Sequence, residues 1–414
     1  MAGTLQRRLG LSDAVVIGVG SMVGAGVFAV WGPAADVAGN GLLWGLVIAA
    51  VVAFCNATSS AQLAALHPES GGTYLYGRRQ LGPGWGHLAG WGFVVGKTAS
   101  CAAMALTIGA HLWPAHDRLF AVAAVVVITV LNIGGLSRTV AVTRLLLAVS
   151  LVALFVVVVG GWRGPDPSVG RLIPVRAGWS DIVQSAGLLF FAFAGYARIA
   201  TLGEEVKDPA TTIPRAIPLA LFGVLLLYAV VAVTVLATVP VADLAGSGAP
   251  LVLVADRGGW PASSPLVRVG AGIAASGVLL NLLPGISRTG LAMARERDLP
   301  SWFAHVDPAR SLPLRAELTV ALIVIGLITV FDVRHSIGVS GMAVLTYYAV
   351  TNLAALTLRP EQRRWPRAVA VTGLIGCIVL AVSLPASVVV TGVGTLAIGV
   401  LMRAVVGGFR PPFG

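Results

Sequence analysis

The sequence predicts an all-α membrane protein that crosses the bilayer many times, and its composition is the first observation behind that prediction. Of the 414 residues, 57% are hydrophobic and only 11% are charged, and the mean hydropathy is +0.89. A globular domain has about 25% charged residues, so a soluble chain of this length could not cover its surface with polar groups. The second observation is that the apolar residues form long stretches that recur from end to end.

Twelve such stretches follow one another, each close to the ~20 residues that a helix needs to cross ~30 Å of hydrocarbon. We therefore predict twelve transmembrane helices. No cleavable signal peptide is expected, because the first stretch is too long and no small-residue cleavage site follows it. The predicted stretches are 14–35, 42–66, 85–110, 119–136, 140–160, 181–202, 216–239, 265–287, 316–331, 337–358, 368–384 and 386–406.

The net charge of +11 follows from where the basic residues lie along the chain. With a cytoplasmic N-terminus, most Lys and Arg fall on cytoplasmic connectors, as the positive-inside rule requires. We expect both termini in the cytoplasm, a location in the cell membrane with the lipid bilayer as surroundings, and no nucleic-acid partner. Cys55, Cys101 and Cys377 stand singly in apolar stretches and indicate neither a disulfide nor a metal site.

The first stretch contains "GVGSMVGAG", residues 18–26. A dinucleotide-binding loop would need a preceding strand, an amphipathic helix and a later acidic residue, and the sequence around it stays apolar. Gly20 and Gly24 could instead form a small-xxx-small surface for a neighbouring helix. The third interpretation is an unwound segment, because each glycine costs a helix interior ~1 kcal/mol relative to alanine. Such a break is tolerated in a membrane where it is buried in protein or lines a cavity.

A second break favours the unwound segment. The sixth stretch reads "LLFFAFAGYARIATLGEE", residues 188–205, and its apolar run is interrupted at Ala194–Gly195. Breaks in corresponding helices of two halves are typical of inverted-repeat transporters, which bind substrate at the midplane. We predict one transmembrane domain over 1–414, with one repeat at about 13–160, a second at about 181–358, and two appended helices at about 368–406.

These residues resemble those of the amino acid–polyamine–organocation superfamily. "GVGSMVGAGVF" is similar to its G-x-G-x-x-x-G-x-G-[IV]-F signature, and "FFAFAGYARIATLGEEVKDPATTIPRAI", residues 190–217, to its sixth helix and the loop that follows. "PESGGTYLYGRRQLGP" and "MARERDLP" resemble its connectors. The resemblance implies a five-plus-five inverted repeat with broken helices 1 and 6. It also implies secondary transport of amino acids or related amines by alternating access.

Two facing breaks indicate a site for a zwitterion. Where a helix restarts, its first amides lack intrahelical partners and its dipole favours an anion, so a substrate carboxylate is expected there. Where a helix ends, its last carbonyls can accept from an ammonium, and glycine lets backbone meet the ligand. The expected carboxylate contacts are the amides of Val23, Gly24, Ala25 and Gly26. The expected ammonium contacts are carbonyls near Met22 and from Phe191 to Ala194, beside Gly195.

Side-chain specificity is inferred from two acids that are missing. The resemblance implies that many relatives carry an acid directly after the Gly-aromatic pair of the sixth helix, where this chain has Ala197. Relatives that transport cationic amino acids often carry one on the third helix, near Gly96. Arg198 and Lys97 stand beside these positions. This argues against arginine or lysine as substrate and favours neutral or acidic amino acids.

Two cations within the spans need an explanation. Arg198 either lines the pathway or pairs with Glu204 or Glu205. Lys97 lies roughly 18 Å into the third helix at ~1.5 Å per residue, too deep to reach either face easily. Proton-coupled relatives carry a lysine on helix 5, at a position that best matches Ser150. We hypothesise that Lys97 becomes protonated as substrate binds and so makes transport proton-driven. Alternatively, carbonyls freed at the breaks hold its ammonium, or it meets the substrate carboxylate.

Other function classes are disfavoured. An intramembrane enzyme needs a nucleophile, base or metal cluster at bilayer depth, and a channel needs a ring of charges or carbonyls. No predicted span supplies either, so we expect no enzymatic activity, no metal and no cofactor. An exchanger without proton coupling and a non-transporting amino acid sensor remain open beside a proton-coupled transporter.

Overall fold

The computed structural model describes residues 7, 9–69, 71–134, 140–173, 177–200, 205–260, 262–307, 310 and 312–407. Apart from short 3-10 turns and two isolated bridges, the regular structure of these residues is α-helical. The helices are α1 Leu11–Met22, α2 Ala25–Ala29, α3 Trp31–Ala38, α4 Leu42–Leu66, α5 Gly72–Leu81, α6 Pro83–Leu112, α7 Asp117–Ile133, α8 Val140–Arg163, α9 Trp179–Phe193, α10 Ala197–Ala200, α11 Pro209–Thr238, α12 Val241–Leu244, α13 Pro250–Arg257, α14 Ser263–Arg295, α15 Leu314–Val330, α16 Val333–Leu356, α17 Arg367–Val382 and α18 Ala386–Gly407.

Each predicted apolar stretch coincides with at least one helix. Within the described residues, nine helical segments are long and apolar enough to cross a membrane, and α9 and α17 are shorter apolar helices. The chain is thus a helical, multi-pass membrane protein, while the number of twelve crossings and the inverted repeat remain predictions. The nine segments are Leu11–Ala29, Trp31–Leu66, Pro83–Leu112, Pro114–Ile133, Val142–Arg163, Pro209–Thr238, Ser263–Arg295, Val333–Leu356 and Ala386–Val406.

Large apolar side chains cover the outside of the bundle. Phe155, Leu322, Val390 and Val405 expose 67%, 69%, 72% and 83% of their surface. An exposed apolar surface of this extent indicates contact with another apolar phase. For a membrane helix, that phase is the hydrocarbon of the bilayer. The polar backbone is satisfied inside each helix, as a bilayer requires.

Small residues let the central helices approach closely. A Cβ atom placed on Gly92 of α6 would lie 3.0 Å from the Ala343 carbonyl oxygen of α16, and one on Gly96 would lie 2.9 Å from Val344 Cγ2. Helix α6 also packs along α14. Close packing of α6 with its neighbours places Lys97, in the middle of α6, next to the helix break that follows α9.

The start of α1 is tied to the chain that leaves α10. The Leu9 amide donates to the Glu205 carbonyl oxygen at 3.0 Å, and the Lys207 amide donates to the Leu9 carbonyl oxygen at 2.9 Å. These two bonds form a short parallel bridge between Leu9 and Val206. The start of α1 is therefore joined by backbone hydrogen bonds to the segment after α10, where Val206 is fully buried.

Candidate substrate site

The first break lies between α1 and α2. Helix α1 ends at Met22, and the amides of Val23 and Gly24 donate to the carbonyl oxygens of Val19 and Met22 at 2.7 and 2.8 Å. Gly24 has an extended backbone and α2 begins at the next residue. A Cβ atom on Gly24 would lie 2.1 Å from Val278 Cγ2 of α14, so glycine is required for this close approach. The interruption predicted from the glycine-rich sequence is present.

The second break lies between α9 and α10. Helix α9 ends at Phe193, and residues 194–196 form a turn before α10. The Ala194 amide donates to the Phe191 carbonyl oxygen at 3.3 Å, and the Arg198 amide donates to the Gly195 carbonyl oxygen at 3.0 Å. This interruption falls at the Ala194–Gly195 pair, where the sequence predicts it.

The two breaks touch one another through backbone. A Cβ atom on Gly195 would lie 2.2 Å from the Ser21 carbonyl oxygen, and one on Gly26 would lie 3.0 Å from Ala192 Cα. At Gly195 the near neighbour is therefore the backbone of α1, so a side chain there would push the breaks apart. Two of the residues predicted for the site, Gly26 and Gly195, thus each lie against the backbone of the other break.

Tyr228 of α11 bridges the breaks. Its hydroxyl lies 2.7 Å from the Met22 carbonyl oxygen and 3.0 Å from the Ala192 carbonyl oxygen, and the side chain is fully buried. The single phenolic proton is shared between two acceptors, one at the end of each broken helix. Its ring packs against Phe193 and edge-on to Trp31. Sequence reasoning missed Tyr228, although a lone tyrosine in an apolar 30-residue helix is a usable signal because a buried phenol seeks a partner.

Lys97 of α6 reaches the second break. Its ammonium nitrogen lies 3.1 Å from the Ala194 carbonyl oxygen, and only 7% of the residue is exposed. The Tyr348 hydroxyl lies 3.5 Å from the same oxygen. This is the contact required by the alternative in which carbonyls freed at a break hold the Lys97 ammonium.

The match with known proteins identifies the family. A family model described as amino acid permease matches residues 9–408. The chain belongs to the amino acid permease family. The sequence had indicated this membership through its resemblance to the amino acid–polyamine–organocation superfamily.

Relatives of this permease include proteins of different named specificity. It is 55% identical to a Mycobacterium tuberculosis protein named "uncharacterized transporter", over 96% of this chain and 90% of the relative. It is 26% identical to the branched-chain amino acid permease of Bacillus subtilis, over 88% of this chain and 83% of the relative. It is 27% identical to the vacuolar cationic amino acid transporter 4 of Arabidopsis thaliana, over 86% of this chain and 64% of the relative. These names indicate a transporter, not an enzyme.

Arg198 of the permease lies in α10 and is partly buried. The charge of Glu205 attracts its guanidinium and that of Arg288 repels it. Interaction with Glu205 supports the structural alternative for Arg198, while Glu204 lies outside the described residues. The Arg198 guanidinium is therefore influenced by one acidic and one basic side chain. It follows the second break in the chain and is distinct from the bond between Lys97 and Ala194.

Ser150 lies on α8 beside the first break. Its hydroxyl donates to the Leu146 carbonyl oxygen at 2.7 Å. It lines a small pocket together with Gly20, Val23 and Asn281. Lys97 is at the second break, whereas Ser150, the position that matches the helix-5 lysine of proton-coupled relatives, is at the first. Among the described residues, no three His, Cys, Asp or Glu side chains are grouped as a metal site.

A buried carboxylate forms a second polar centre that sequence reasoning missed. Asp298, 3% exposed, follows α14 and accepts from the Tyr74 hydroxyl and Arg78 Nη1, both at 2.9 Å. Arg403 Nε of α18 lies 3.1 Å from its other oxygen, and His87 Nδ1 lies at 3.9 Å. Burial and the Asp298 charge raise the pKa of Tyr74, so its hydroxyl stays a donor. Side chains of α5, α6 and α18 thus converge on one carboxylate that follows α14.

Proposed function

We propose that this permease is a secondary active transporter that moves neutral amino acids across the cell membrane by alternating access. The observation that carries the proposal is the contact between two helix breaks bridged by the Tyr228 hydroxyl. Backbone that is released from helical bonding inside a membrane protein is tolerated where it serves a buried site or cavity. The positive-inside pattern supports cytoplasmic termini.

The substrate head group is assigned to the two breaks. The carboxylate is assigned to the amides of Ala25 and Gly26, at the start of the restarted first helix. The amides of Val23 and Gly24 already donate to the carbonyl oxygens of Val19 and Met22.

The ammonium is assigned to carbonyl oxygens at the end of α9, because the Met22 carbonyl oxygen at the end of α1 already accepts from Gly24 and Tyr228. The Phe191 carbonyl oxygen, which accepts a 3.3 Å bond from the Ala194 amide, keeps a lone pair for it. The Ala194 carbonyl oxygen can also accept from the substrate ammonium once the Lys97 ammonium has moved away.

Charge near the breaks supports a neutral side chain. Helices α6, α11, α14 and α16 contain no Asp or Glu, whereas Lys97 adds a cation beside the second break. A cationic side chain would be repelled by Lys97 and would find no carboxylate partner on these helices. We therefore propose that arginine and lysine are poor substrates.

Energy coupling is assigned to Lys97. Binding of the substrate ammonium at Ala194 requires the Lys97 ammonium to leave, and loss of its proton would release it. Because the proton is released as the substrate binds, proton and substrate would cross the membrane in opposite directions, and a proton gradient would drive this exchange. An exchanger without proton coupling uses the same site but leaves Lys97 charged throughout, and a sensor binds without transport.

Competition binding tests this function. Purified protein is incubated with radiolabelled alanine or leucine, and unlabelled amino acids compete. Neutral amino acids should displace the label at concentrations at least tenfold below those needed by arginine. Arginine competing as well as leucine would overturn the neutral assignment, and no specific binding across a complete amino acid panel would overturn the amino acid site.

A further inference from the structure

The carbonyl oxygens at the two breaks are occupied by donors from the protein itself. The Met22 carbonyl oxygen accepts from the Gly24 amide at 2.8 Å and from the Tyr228 hydroxyl at 2.7 Å. Because a carbonyl oxygen has two lone pairs, these two bonds satisfy it. The Ala194 carbonyl oxygen accepts from Lys97 at 3.1 Å, with the Tyr348 hydroxyl at 3.5 Å. In this conformation, Lys97 stands where the ammonium of an amino acid would bind.

The Lys97 ammonium has no carboxylate on the helices that lie against it. Helices α14 and α16 pack along α6, and none of the three contains Asp or Glu. Helices α7 and α15, which also pack against α6, carry theirs near the first residue, at Asp117 and Glu317. The acid of α9, Asp181, is 13 positions before Ala194, roughly 20 Å along the helix at ~1.5 Å per residue.

A buried charge without an opposite charge is costly, so an anion that enters this site is stabilised by Lys97. A zwitterion brings a second ammonium, which competes with Lys97 for the same carbonyl oxygen. A carboxylate that lacks the amino group brings the negative charge alone. We infer that the permease binds small apolar monocarboxylates, the deaminated counterparts of neutral amino acids, with Lys97 serving in place of the substrate ammonium.

This inference rests on the proposed substrate site between the breaks but extends its substrate class. It also gives Lys97 a specificity role that proton coupling does not require. The lysine contributes the cation that an amino acid would otherwise bring, so one site accepts either a zwitterion with Lys97 displaced or a monocarboxylate with Lys97 in place.

Matched ligand pairs test the inference. Binding to the purified full-length protein in detergent is measured by calorimetry, because weak acids cross bilayers unaided. The pairs differ only in the amino group: alanine and propanoate, leucine and 4-methylpentanoate, and phenylalanine and 3-phenylpropanoate. Leucinamide, which has the ammonium without the carboxylate, completes the set. For at least one pair, the carboxylate should bind with a Kd no more than about threefold above that of the amino acid, while leucinamide binds at least tenfold more weakly than leucine.

Two variants assign the effect to Lys97. Lys97→Met keeps the length of the side chain and removes its charge, and it should raise the Kd of the monocarboxylate at least tenfold while the amino acid binds as well or better. Thr98→Val is the control, because the Thr98 hydroxyl bonds only within its own helix, to the Val94 carbonyl oxygen, and should change neither Kd.

The outcomes separate this inference from the proposed function. Binding of amino acids without any monocarboxylate would overturn the inference and leave the amino acid site standing. Equal binding of the monocarboxylate by wild type and Lys97→Met would also overturn it. If no ligand of the three pairs bound, both this inference and the proposed amino acid site would be contradicted.

Discussion

The Tyr228 hydroxyl and the Met22 carbonyl oxygen are joined by a 2.7 Å hydrogen bond that links α11 to the end of the first broken helix. The same hydroxyl lies 3.0 Å from the Ala192 carbonyl oxygen of α9. One side chain thus fixes the spacing of the two breaks. Holding a site in its binding geometry reduces the cost of ordering it when ligand arrives.

Tyr228→Phe should weaken substrate binding, because both carbonyl oxygens lose the hydroxyl that sets their separation. We expect the Kd of the best neutral amino acid to rise by about tenfold, which corresponds to ~1.4 kcal/mol. Tyr76→Phe is the control: its hydroxyl also donates to a backbone oxygen, that of Ala200, at 3.3 Å. An unchanged Kd in Tyr228→Phe would show that the bridge does not organise the site.

Gly195→Ala should destabilise the fold. The new Cβ atom would lie 2.2 Å from the Ser21 carbonyl oxygen, and overpacking against backbone costs ~3 kcal/mol or more. Gly26→Ala meets Ala192 Cα at 3.0 Å and should cost less, ~1 kcal/mol. Thermal unfolding in detergent measures the Tm of each variant and so gives the order of their stabilities. Gly326→Ala is the control, since no atom lies within 4 Å of its added Cβ; equal Tm values for all three variants would contradict the contact between the breaks.

Lys97→Ala should separate substrate exchange from concentrative uptake. If Lys97 couples transport to protons, the variant loses accumulation driven by a pH gradient but retains counterflow exchange, because the backbone site is intact. Both activities are measured in proteoliposomes with the same labelled substrate. A variant that still concentrates substrate when a pH gradient is imposed would exclude Lys97 as the coupling group.

Asp298→Asn should lower stability strongly. Arg78 and Arg403 would be left beside a neutral amide at a site that is 3% exposed, and breaking a buried ion pair costs ~3–5 kcal/mol. Asp243→Asn breaks the surface pair with Arg257 and should change stability by less than ~1 kcal/mol. The comparison uses thermal unfolding of both variants. A smaller loss for Asp298→Asn than for Asp243→Asn would contradict a stabilising role of the cluster.

The two helix breaks could be predicted from the sequence because their cause is local. Glycine lowers helix stability at its own position, so the strings around Gly24 and Gly195 are readable without knowing their neighbours. The position of Lys97 in the middle of a long apolar helix could also be predicted from the sequence. Its partner could not be predicted, since the Ala194 carbonyl oxygen is 97 positions away and any freed carbonyl would have served.

Contacts between distant segments were not accessible to pattern reasoning. Tyr228 and Met22 are 206 positions apart, and Tyr74 and Asp298 are 224 apart. Each is an ordinary residue in its own segment, and only the packing of the helices makes it a bridge or a cluster. The same holds for Ser150, whose place beside the first break depends on how α8 packs against α1.

Uptake into proteoliposomes is the most direct measurement of the central claim, that the adjoining breaks form the amino acid site of a secondary transporter. Purified wild type and Gly26→Leu are reconstituted, and a panel of radiolabelled amino acids is presented with and without internal substrate and a pH gradient. Wild type should show saturable uptake or exchange of a neutral amino acid. Gly26→Leu should show none, provided that its thermal transition shows a folded protein, because its side chain would meet Ala192 of α9 and force the two breaks apart. Absence of uptake and exchange for every amino acid in wild type, or transport by Gly26→Leu at the wild-type rate, would contradict the claim.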